Sequence, residues 1–298
     1  MTDHSTGIVT PAARWSFRLA LFSAALLLAG LVLHRLASLS TPLALNLFAV
    51  GYALAALAML LALVALARIW RTGYGGAGSA AVGLLLPVLT LAGPLAFVTA
   101  HADRPQINDV TTDWTTPPAF AALAKRAPGE NSSAYPGQAF ADLQAKSYPD
   151  LRTLALDRPV EEAFELVEEA VRRLRWRVAA ADPPKGGKGT RTGTIEATDY
   201  TLIVGFPDDI VVRVEGGSAR TRIDVRSASR YGKSDFGQNA ARLRRFLAEV
   251  RARADATATG VAGARGRTAR ARALLKLKQQ KARDQQKAEG RSGRGRAQ

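Results

Sequence analysis

The chain has 298 residues, a net charge of +16 and no cysteine, which excludes disulfides, thiol nucleophiles and thiolate metal sites. The positive charge is concentrated at the C-terminus. Residues 251–298 carry 14 lysines and arginines against three acidic residues, whereas residues 101–250 are almost neutral. The basic character therefore belongs to the tail and predicts little about the rest of the chain.

Three uncharged stretches fill the first hundred residues. The first lies between Arg18 and His34, and the other two run from Leu36 to Ala67 and from Thr72 to Ala100. A helix needs about 20 apolar residues to cross roughly 30 Å of hydrocarbon. The first stretch reaches this length if the side chains at its two ends extend to the interfaces. We therefore predict a membrane anchor over residues 1–100, with three transmembrane helices near 15–37, 43–67 and 78–100.

A cleavable signal peptide is the alternative interpretation of the first stretch. Arg14 and Arg18 precede its apolar run, and the segment LASLSTPLA follows it, as a cleavage region would. Two further spans make a separate export signal unnecessary, so we favour a membrane helix.

The arginines that flank the spans predict the orientation. The N-terminal side has four of them, Arg14, Arg18, Arg68 and Arg71, whereas the opposite side has only Arg35 and Arg104. Cytoplasmic flanks are enriched in Lys and Arg. We expect a cytoplasmic N-terminus in a bacterial inner (plasma) membrane. Three spans then put the soluble domain on the periplasmic or external side.

The polar part of the chain predicts an α+β domain. Residues 101–150 are rich in proline and are interpreted as an extended segment that wraps the domain, with Phe120 and tyrosines as anchors. Over 151–254 the order is β-α-β-β-β-β-β-α, and a final helix begins at a capping pair of Asp235 and Gln238. Short turns between the strands predict an antiparallel sheet with helices on one face. The predicted strands are 151–157, 176–182, 193–199, 201–206, 209–215 and 219–229.

Residues 255–298 form a basic tail. Their composition, with no aromatic residue, predicts a segment that is disordered or becomes helical against a partner. An anionic membrane is one such partner, since each Lys or Arg near it contributes about 1 kcal/mol. Nucleic acid is not expected to meet an external tail, and a solvated, dispensable extension is the alternative.

Several segments of the polar region resemble one known family. They are INDVTTD with PPAF, then YPD, GFPDDIVVRV and IDVRSASRYGKSDFGQNAARLRRFL. Over roughly 102–250 these residues resemble the uncharacterised family called domain of unknown function 1499. The resemblance implies an envelope-type protein of bacteria or plastids, often anchored in a membrane. It implies no established activity.

The segment between the last strand and the last helix is a candidate anion site. Free N–H groups at a helix N-terminus attract anions, and arginines bind phosphate or carboxylate in a bidentate manner. The candidate residues are Arg226, Ser227, Ser229, Arg230 and Ser234. In the alternative interpretation the hydroxyls cap the turn, and nearby aspartates pair with the arginines.

Asp208 and Asp209 are weaker candidates for paired carboxylates or hard-cation ligands. Aspartate is common in turns for local hydrogen bonding, which is the alternative role. The three histidines offer no base or zinc site, and no cofactor or metal is predicted.

We expect a membrane-anchored envelope protein that binds a partner protein or an anionic lipid or glycan. Two alternatives stay open. One is a hydrolase or transferase using these aspartates with Arg226 and Arg230, and the other is a cytoplasm-facing regulator whose tail binds anionic lipid or nucleic acid. Oligomeric state is not predicted.

Overall fold

Three long helices form the N-terminal part of the protein. The computed structural model describes residues 8–37, 39–186 and 189–257. Helices α1 (Pro11–Leu36), α2 (Thr41–Thr72) and α3 (Ala77–Ala100) pack against one another, and each is long and apolar enough to cross a membrane. The buried positions along the three helices are mostly small residues, such as Ala55, Ala58 and Gly83. Close packing through small residues is typical of membrane helices, and the predicted three-helix anchor is confirmed.

The two ends of the helix bundle carry different parts of the chain. At one end the N-terminal segment pairs with the α2–α3 connection, since the N–H of Thr10 donates to the carbonyl of Gly75. The α1–α2 connection lies at the other end, where α3 leads into the polar domain. Pro11, at the start of α1, and the polar domain therefore lie at opposite ends of the helix bundle.

The polar domain has one antiparallel sheet. Its elements are β1 (Asp109–Thr111), α4 (Gln138–Ser147), β2 (Leu154–Leu156), α5 (Val160–Arg173), β3 (Arg177–Asp182), β4 (Arg191–Tyr200), β5 (Pro207–Gly216), β6 (Thr221–Ser229) and α6 (residues 238–257). The strand order is β1-β6-β5-β4-β3, and β2 also pairs with β6. The predicted α+β class is confirmed.

The hydrophobic core lies between the sheet and helices α5 and α6. Alternate residues of β5 and β6, such as Ile210, Val212 and Val225, point into it and are fully buried. From the helices, the ring of Phe246 stacks on Trp176 with a centroid distance of 5.3 Å. Both helices therefore cover the same face of the sheet, as the alternating pattern predicts.

The opposite face of the sheet is polar and is covered by residues 112–135. Phe120 is the apolar anchor of this segment and packs on Val211 and Ala228. The carboxylate of Glu196, in β4, accepts the N–H groups of residues 121, 122 and 123. This face brings the charged candidates together.

The strand predicted over 201–206 does not form. These residues instead make the turn between β4 and β5. The hydroxyl of Thr201 accepts the N–H groups of Gly205 and Phe206, and Gly205 has a left-handed φ of 83°. A side chain that satisfies its own backbone competes with strand pairing, so the apolar run in TLIVGF does not form the predicted strand.

Two details of the remaining segments also differ from prediction. Helix α4 lies within the segment that was predicted to be extended. The side-chain oxygen of its buried Gln144 accepts a hydrogen bond from the backbone N–H of Thr111. The local sequence does not indicate this tertiary contact. Asp235 caps α6 as predicted, accepting the N–H of Asn239, but its own N–H donates to Ile107 and not to Gln238. Residues 255–257 continue α6, and the rest of the predicted basic tail lies outside the described residues.

Candidate functional site

Arg226, the first anion-site candidate, is buried and paired. It lies on β6 opposite β1, and its guanidinium makes a bidentate bond to Asp109, with N···O distances of 2.9 and 2.7 Å. It also donates to the carbonyls of Pro118 and Ser133. Only 1% of the residue is exposed. These contacts tie the wrapping segment to the sheet, which is a structural role.

Two aromatic rings complete the surroundings of this pair. The guanidinium carbon of Arg226 lies 4.9 Å from the ring centre of Phe120 and 5.4 Å from that of Tyr135. Burial raises the pKa of the Tyr135 hydroxyl to about 12. The phenol therefore stays protonated near neutral pH and adds no negative charge beside Arg226.

Arg230 also has a carboxylate partner. Its guanidinium binds both oxygens of Asp209 at 2.9 Å, and Arg126 pairs with the same carboxylate from the wrapping segment. Thr198 donates a further hydrogen bond at 2.8 Å. Asp209 is fully buried, whereas the Arg230 side chain keeps 24% exposure. Although burial acts in the opposite direction, the bonds from Asp209 raise the pKa of Arg230.

The three candidate serines take part in local hydrogen bonds. Ser227 donates to the side-chain oxygen of Asn239, and Ser229 accepts from the amide nitrogen of the same residue. The hydroxyl of Ser234 accepts the N–H of Phe236. Since the Asp235 carboxylate already occupies the N-terminus of α6, an anion there would meet a negative charge. The alternative interpretation, in which hydroxyls cap and aspartates pair, fits this geometry, and anion binding by these residues remains a prediction.

Asp208 and Asp209 point to opposite faces of the sheet. Asp208 faces α6, where it accepts a hydrogen bond of 2.7 Å from Arg242. Arg242 binds Asp199 as well, at 2.8 Å. The two aspartates therefore do not form a carboxylate pair. No cluster of acidic or histidine side chains suited to a metal ion occurs in the described ranges 8–37, 39–186 and 189–257.

A second group of arginines differs from Arg226 and Arg230 in that its members have no carboxylate partner among the described residues. Four arginines lie at the end of α5 and the start of β3, and none has a carboxylate within ion-pair distance in the described part of the chain. We call them the arginine corner: Arg172, Arg173, Arg175 and Arg177. All four are exposed. Arg177 contacts the ring and the hydroxyl of Tyr200.

The arginine corner borders a groove of about 270 Å³ between α5 and β3. Its walls include the apolar side chains of Val171, Trp176, Val178 and Ile195, together with Arg172, Arg175 and one acidic residue, Glu168. Guanidinium groups beside an apolar surface suit an amphiphile with an anionic head, because the head pairs with arginine while the apolar part covers the floor.

Arg175 occupies a backbone position that ordinarily favours glycine. It follows the C-cap of α5, with a left-handed φ of 59°. The N–H of Arg175 donates to the carbonyl of Arg172, and that of Trp176 donates to Val171, which closes a Schellman motif. Glycine is usual here because it has no Cβ. A strained non-glycine residue beside a groove is an observation that points towards function.

The arginine corner lies at the membrane-proximal end of the domain. Arg177 pairs with Thr198 near the end of β4, next to the turn at 201–206. That turn contacts α1, since the Nδ1 atom of His34 lies 2.8 Å from the carbonyl oxygen of Val204. The other end of α5 lies beside the β5–β6 turn, where Val160 donates to Gly217. The sequence RRLRWR marks the corner, but basic residues at a helix C-terminus are also ordinary, and only the fold reveals the missing carboxylates.

These features define a membrane anchor of three helices that carries an α+β domain. Residues 109–250 match the model of the family described as "Protein of unknown function (DUF1499)", so this domain belongs to that family. The match confirms the resemblance seen in the sequence. No curated protein and no solved structure matches the chain at a significant level.

Proposed function

We propose that the protein is a membrane-anchored binding module that recognises anionic phospholipid head groups through its arginine corner. One observation carries the proposal: four exposed arginines without carboxylate partners in the described chain lie close together near the membrane end of the domain, and two of them, Arg172 and Arg175, line a largely apolar groove. The guanidinium group suits phosphate because its planar N–H groups match two phosphate oxygens.

The electrostatic contribution is large enough to matter. Each Lys or Arg close to an anionic bilayer contributes about 1 kcal/mol, and the attraction falls off within a Debye length of roughly 10 Å. The four residues of the corner lie together at the end of the sheet that meets the helix bundle, so they are positioned to act jointly. The binding should weaken as salt is added.

The geometry gives less support to the other functions considered. A hydrolase would need a carboxylate free to act on substrate, whereas Asp208 and Asp209 are both buried against arginines. A partner protein could pair with the exposed edge strand β3, but a β-bulge between Val178 and Ala180 interrupts that edge. Bulges discourage the addition of a further strand.

The proposal includes the side of the membrane. The arginines that flank the spans favour a cytoplasmic N-terminus, and three spans then expose the domain on the outer side of a bacterial inner membrane. Reporters that are active only in the periplasm or only in the cytoplasm, fused after Val250, test this. Periplasmic activity is expected. Cytoplasmic activity would reverse the orientation and make the inner leaflet the surface that the arginine corner meets.

Lipid retention tests the binding itself. The full chain is placed in nanodiscs of equal parts phosphatidylcholine and phosphatidylglycerol, and co-released lipids are counted by native mass spectrometry. Replacing Arg175 and Arg177 with alanine should lower the retained phosphatidylglycerol at least tenfold, since a hydrogen bond to a charged group contributes about 1.5–3 kcal/mol.

The matched control removes two exposed arginines elsewhere in the domain. Arg245 and Arg251 lie on α6, which begins near the membrane end and runs away from it. Their double alanine variant has the same net charge as the test variant and should keep its phosphatidylglycerol. Equal losses in both variants, or no loss in either, would overturn the proposal.

A further inference from the structure

The turn between β4 and β5, residues 201–206, carries the most exposed large apolar side chains of the domain. Leu202 is 87% exposed and Ile203 is 74% exposed, whereas Val178, the next such residue in the domain, is 49% exposed. The lipid-facing Leu89 of α3, at 72%, is comparable. Two adjacent side chains of this kind at the tip of a turn cost free energy in water, about 25 cal/mol per Å² of apolar surface.

The turn is fixed against the end of a transmembrane helix. In the last turn of α1, His34 approaches the carbonyl oxygen of Val204 through Nδ1, at 2.8 Å, and the hydroxyl of Thr41 through Nε2, at 3.0 Å. A carbonyl only accepts, so Nδ1 carries the proton. The imidazole also packs edge-on against Phe206, with a ring-centre distance of 5.7 Å. The turn therefore lies at the depth of the α1 terminus.

A second contact holds the domain to another span. The ring of Phe236, just before α6, meets the ring of Phe97 near the end of α3 at a centroid distance of 5.2 Å. Phe236 also faces His101, the C-cap of α3, at 6.5 Å. Contacts with both α1 and α3 leave the domain little freedom to lift the turn away from the bilayer.

The turn also satisfies much of its own backbone. Thr201 donates its N–H to the carbonyl of Phe206, and its carbonyl accepts the N–H of Gly205, while its hydroxyl accepts the same Gly205 N–H and the N–H of Phe206. Internal hydrogen bonding is what a segment needs where water is scarce, because an unpaired backbone group costs several kcal/mol in lipid.

From these observations we infer that the turn at 201–206 inserts Leu202 and Ile203 into the interfacial region of the bilayer, as a second attachment beside the three spans. The occupant of this apolar surface is lipid. The inference does not depend on the arginine corner, because insertion of apolar side chains requires no anionic lipid.

Site-specific fluorescence in a neutral bilayer tests the inference. The chain contains no cysteine, so a single Ile203→Cys substitution provides a unique label. Ser218→Cys is the matched control, because Ser218 is exposed in the β5–β6 turn at the opposite end of β5. Each full-length variant carries an environment-sensitive nitrobenzoxadiazole label in nanodiscs made only of phosphatidylcholine. We expect blue-shifted emission at position 203, with quenching by lipids brominated near the glycerol end of their acyl chains, and water-like emission at position 218.

Reactivity of the unlabelled cysteines excludes an effect of the fluorophore. Since the protein itself leaves Ile203 exposed, only lipid can protect a cysteine there from a charged maleimide. In the same nanodiscs, position 203 should react at least tenfold more slowly than position 218. Equal reaction rates together with water-like emission at both positions would overturn the inference. The proposed head-group binding would be unaffected, because phosphatidylcholine has no net charge.

Discussion

Two groups of arginines in this domain differ in burial and pairing. Arg226 and Arg242 are buried and bonded to aspartates, and Arg230 is bonded to one at the rim of the sheet. The arginine corner is exposed and has no carboxylate partner in the described chain. The same residue type therefore serves two purposes. Inside the domain it joins segments distant in sequence, and at the corner it leaves its charge for a ligand.

This difference shows why the number of arginines is a poor guide to anion binding. The segment that looked most like an anion site, residues 226–235, already has carboxylate partners. Asp109 and Asp209 come from other strands of the domain, and Asp235 comes from the segment itself. A carboxylate in contact with a guanidinium already fills the site that a phosphate would take. The absence of such a partner is the more informative feature.

The largest effect is expected where a buried pair is broken. Replacing Arg226 with alanine leaves the Asp109 carboxylate buried without its partner, which should lower the free energy of unfolding by about 3–5 kcal/mol. Arg222→Ala is the control, because that side chain is 55% exposed and its nearest carboxylates are 3.8 Å away. Arg222→Ala should lower the free energy of unfolding by less than about 1 kcal/mol. Denaturant unfolding of the full chain in nanodiscs, followed by near-ultraviolet circular dichroism, measures both. Equal losses would contradict the structural role of the buried pair.

Adding a second carboxylate to the groove, which already contains Glu168, should make the arginine corner resemble the buried, paired arginines. Val178 is half exposed in the wall of the groove, so Val178→Glu places a negative charge beside Arg172 and Arg175. Retained phosphatidylglycerol should fall about tenfold, equivalent to about 1.4 kcal/mol. Val178→Gln, of similar size but neutral, is the control for shape. A similar fall with glutamine would mean that the shape of the groove, and not its charge, controls binding.

The strained backbone of Arg175 predicts a trade-off between stability and binding. Arg175→Gly removes the Cβ from a left-handed position and should stabilise the domain by up to about 1 kcal/mol, because glycine is preferred there. The same change should reduce phosphatidylglycerol retention. Arg173→Gly, within the helix, should instead destabilise by about 1 kcal/mol. Thermal unfolding and lipid counting on the same samples test the trade-off, and a destabilised Arg175→Gly variant would argue against it.

The smallest effect concerns a pair that is both exposed and bonded. Asp150 accepts two hydrogen bonds from Arg244, at 2.7 and 2.8 Å, and these bonds lower the pKa of its carboxyl. A lowered pKa gives stability that is present above the ordinary value of 3.8 and is lost as the pH falls through the folded-state value. Because both side chains are exposed to solvent, Asp150→Asn should lower the free energy of unfolding by less than about 1 kcal/mol at pH 7.

Urea unfolding of the wild type and the Asp150→Asn variant across the acidic range checks this prediction. The difference between them should shrink as the pH falls below 3.8. A difference that stays constant would mean that the ionised carboxylate does not contribute. Asp157→Asn, whose side chain is 91% exposed, should have a smaller effect at pH 7.

The sequence was sufficient for features that depend on local pattern. The three spans follow from the length of uncharged apolar runs, and α5 and α6 follow from apolar residues at helical spacing. The segment TLIVGF shows the limit of such patterns. Its apolar run is typical of a short buried strand, yet the Thr201 hydroxyl and the left-handed Gly205 turn the chain, and Leu202 and Ile203 point outwards.

The pairing of charges could not be predicted, because it depends on tertiary register. Asp109 and Arg226 are 117 residues apart, and no sequence pattern indicates that β1 lies beside β6. The alternation of strands also assigns Asp208 and Asp209 to opposite faces, which separates two residues that look like a pair. For the arginine corner, RRLRWR was visible, but the absence of a carboxylate within ion-pair distance, among the described residues, became apparent only from the positions of α5 and β3.

Cross-linking from the groove tests the central claim most directly. A photoreactive benzoylphenylalanine replaces Val178 in the full chain, within nanodiscs of equal parts phosphatidylcholine and phosphatidylglycerol, and replaces Ser218 in the control. Our account predicts adducts that are enriched in phosphatidylglycerol at position 178 and absent at position 218. Adducts that mirror the bulk lipid mixture, or no adduct at position 178, would contradict recognition of anionic head groups by the arginine corner.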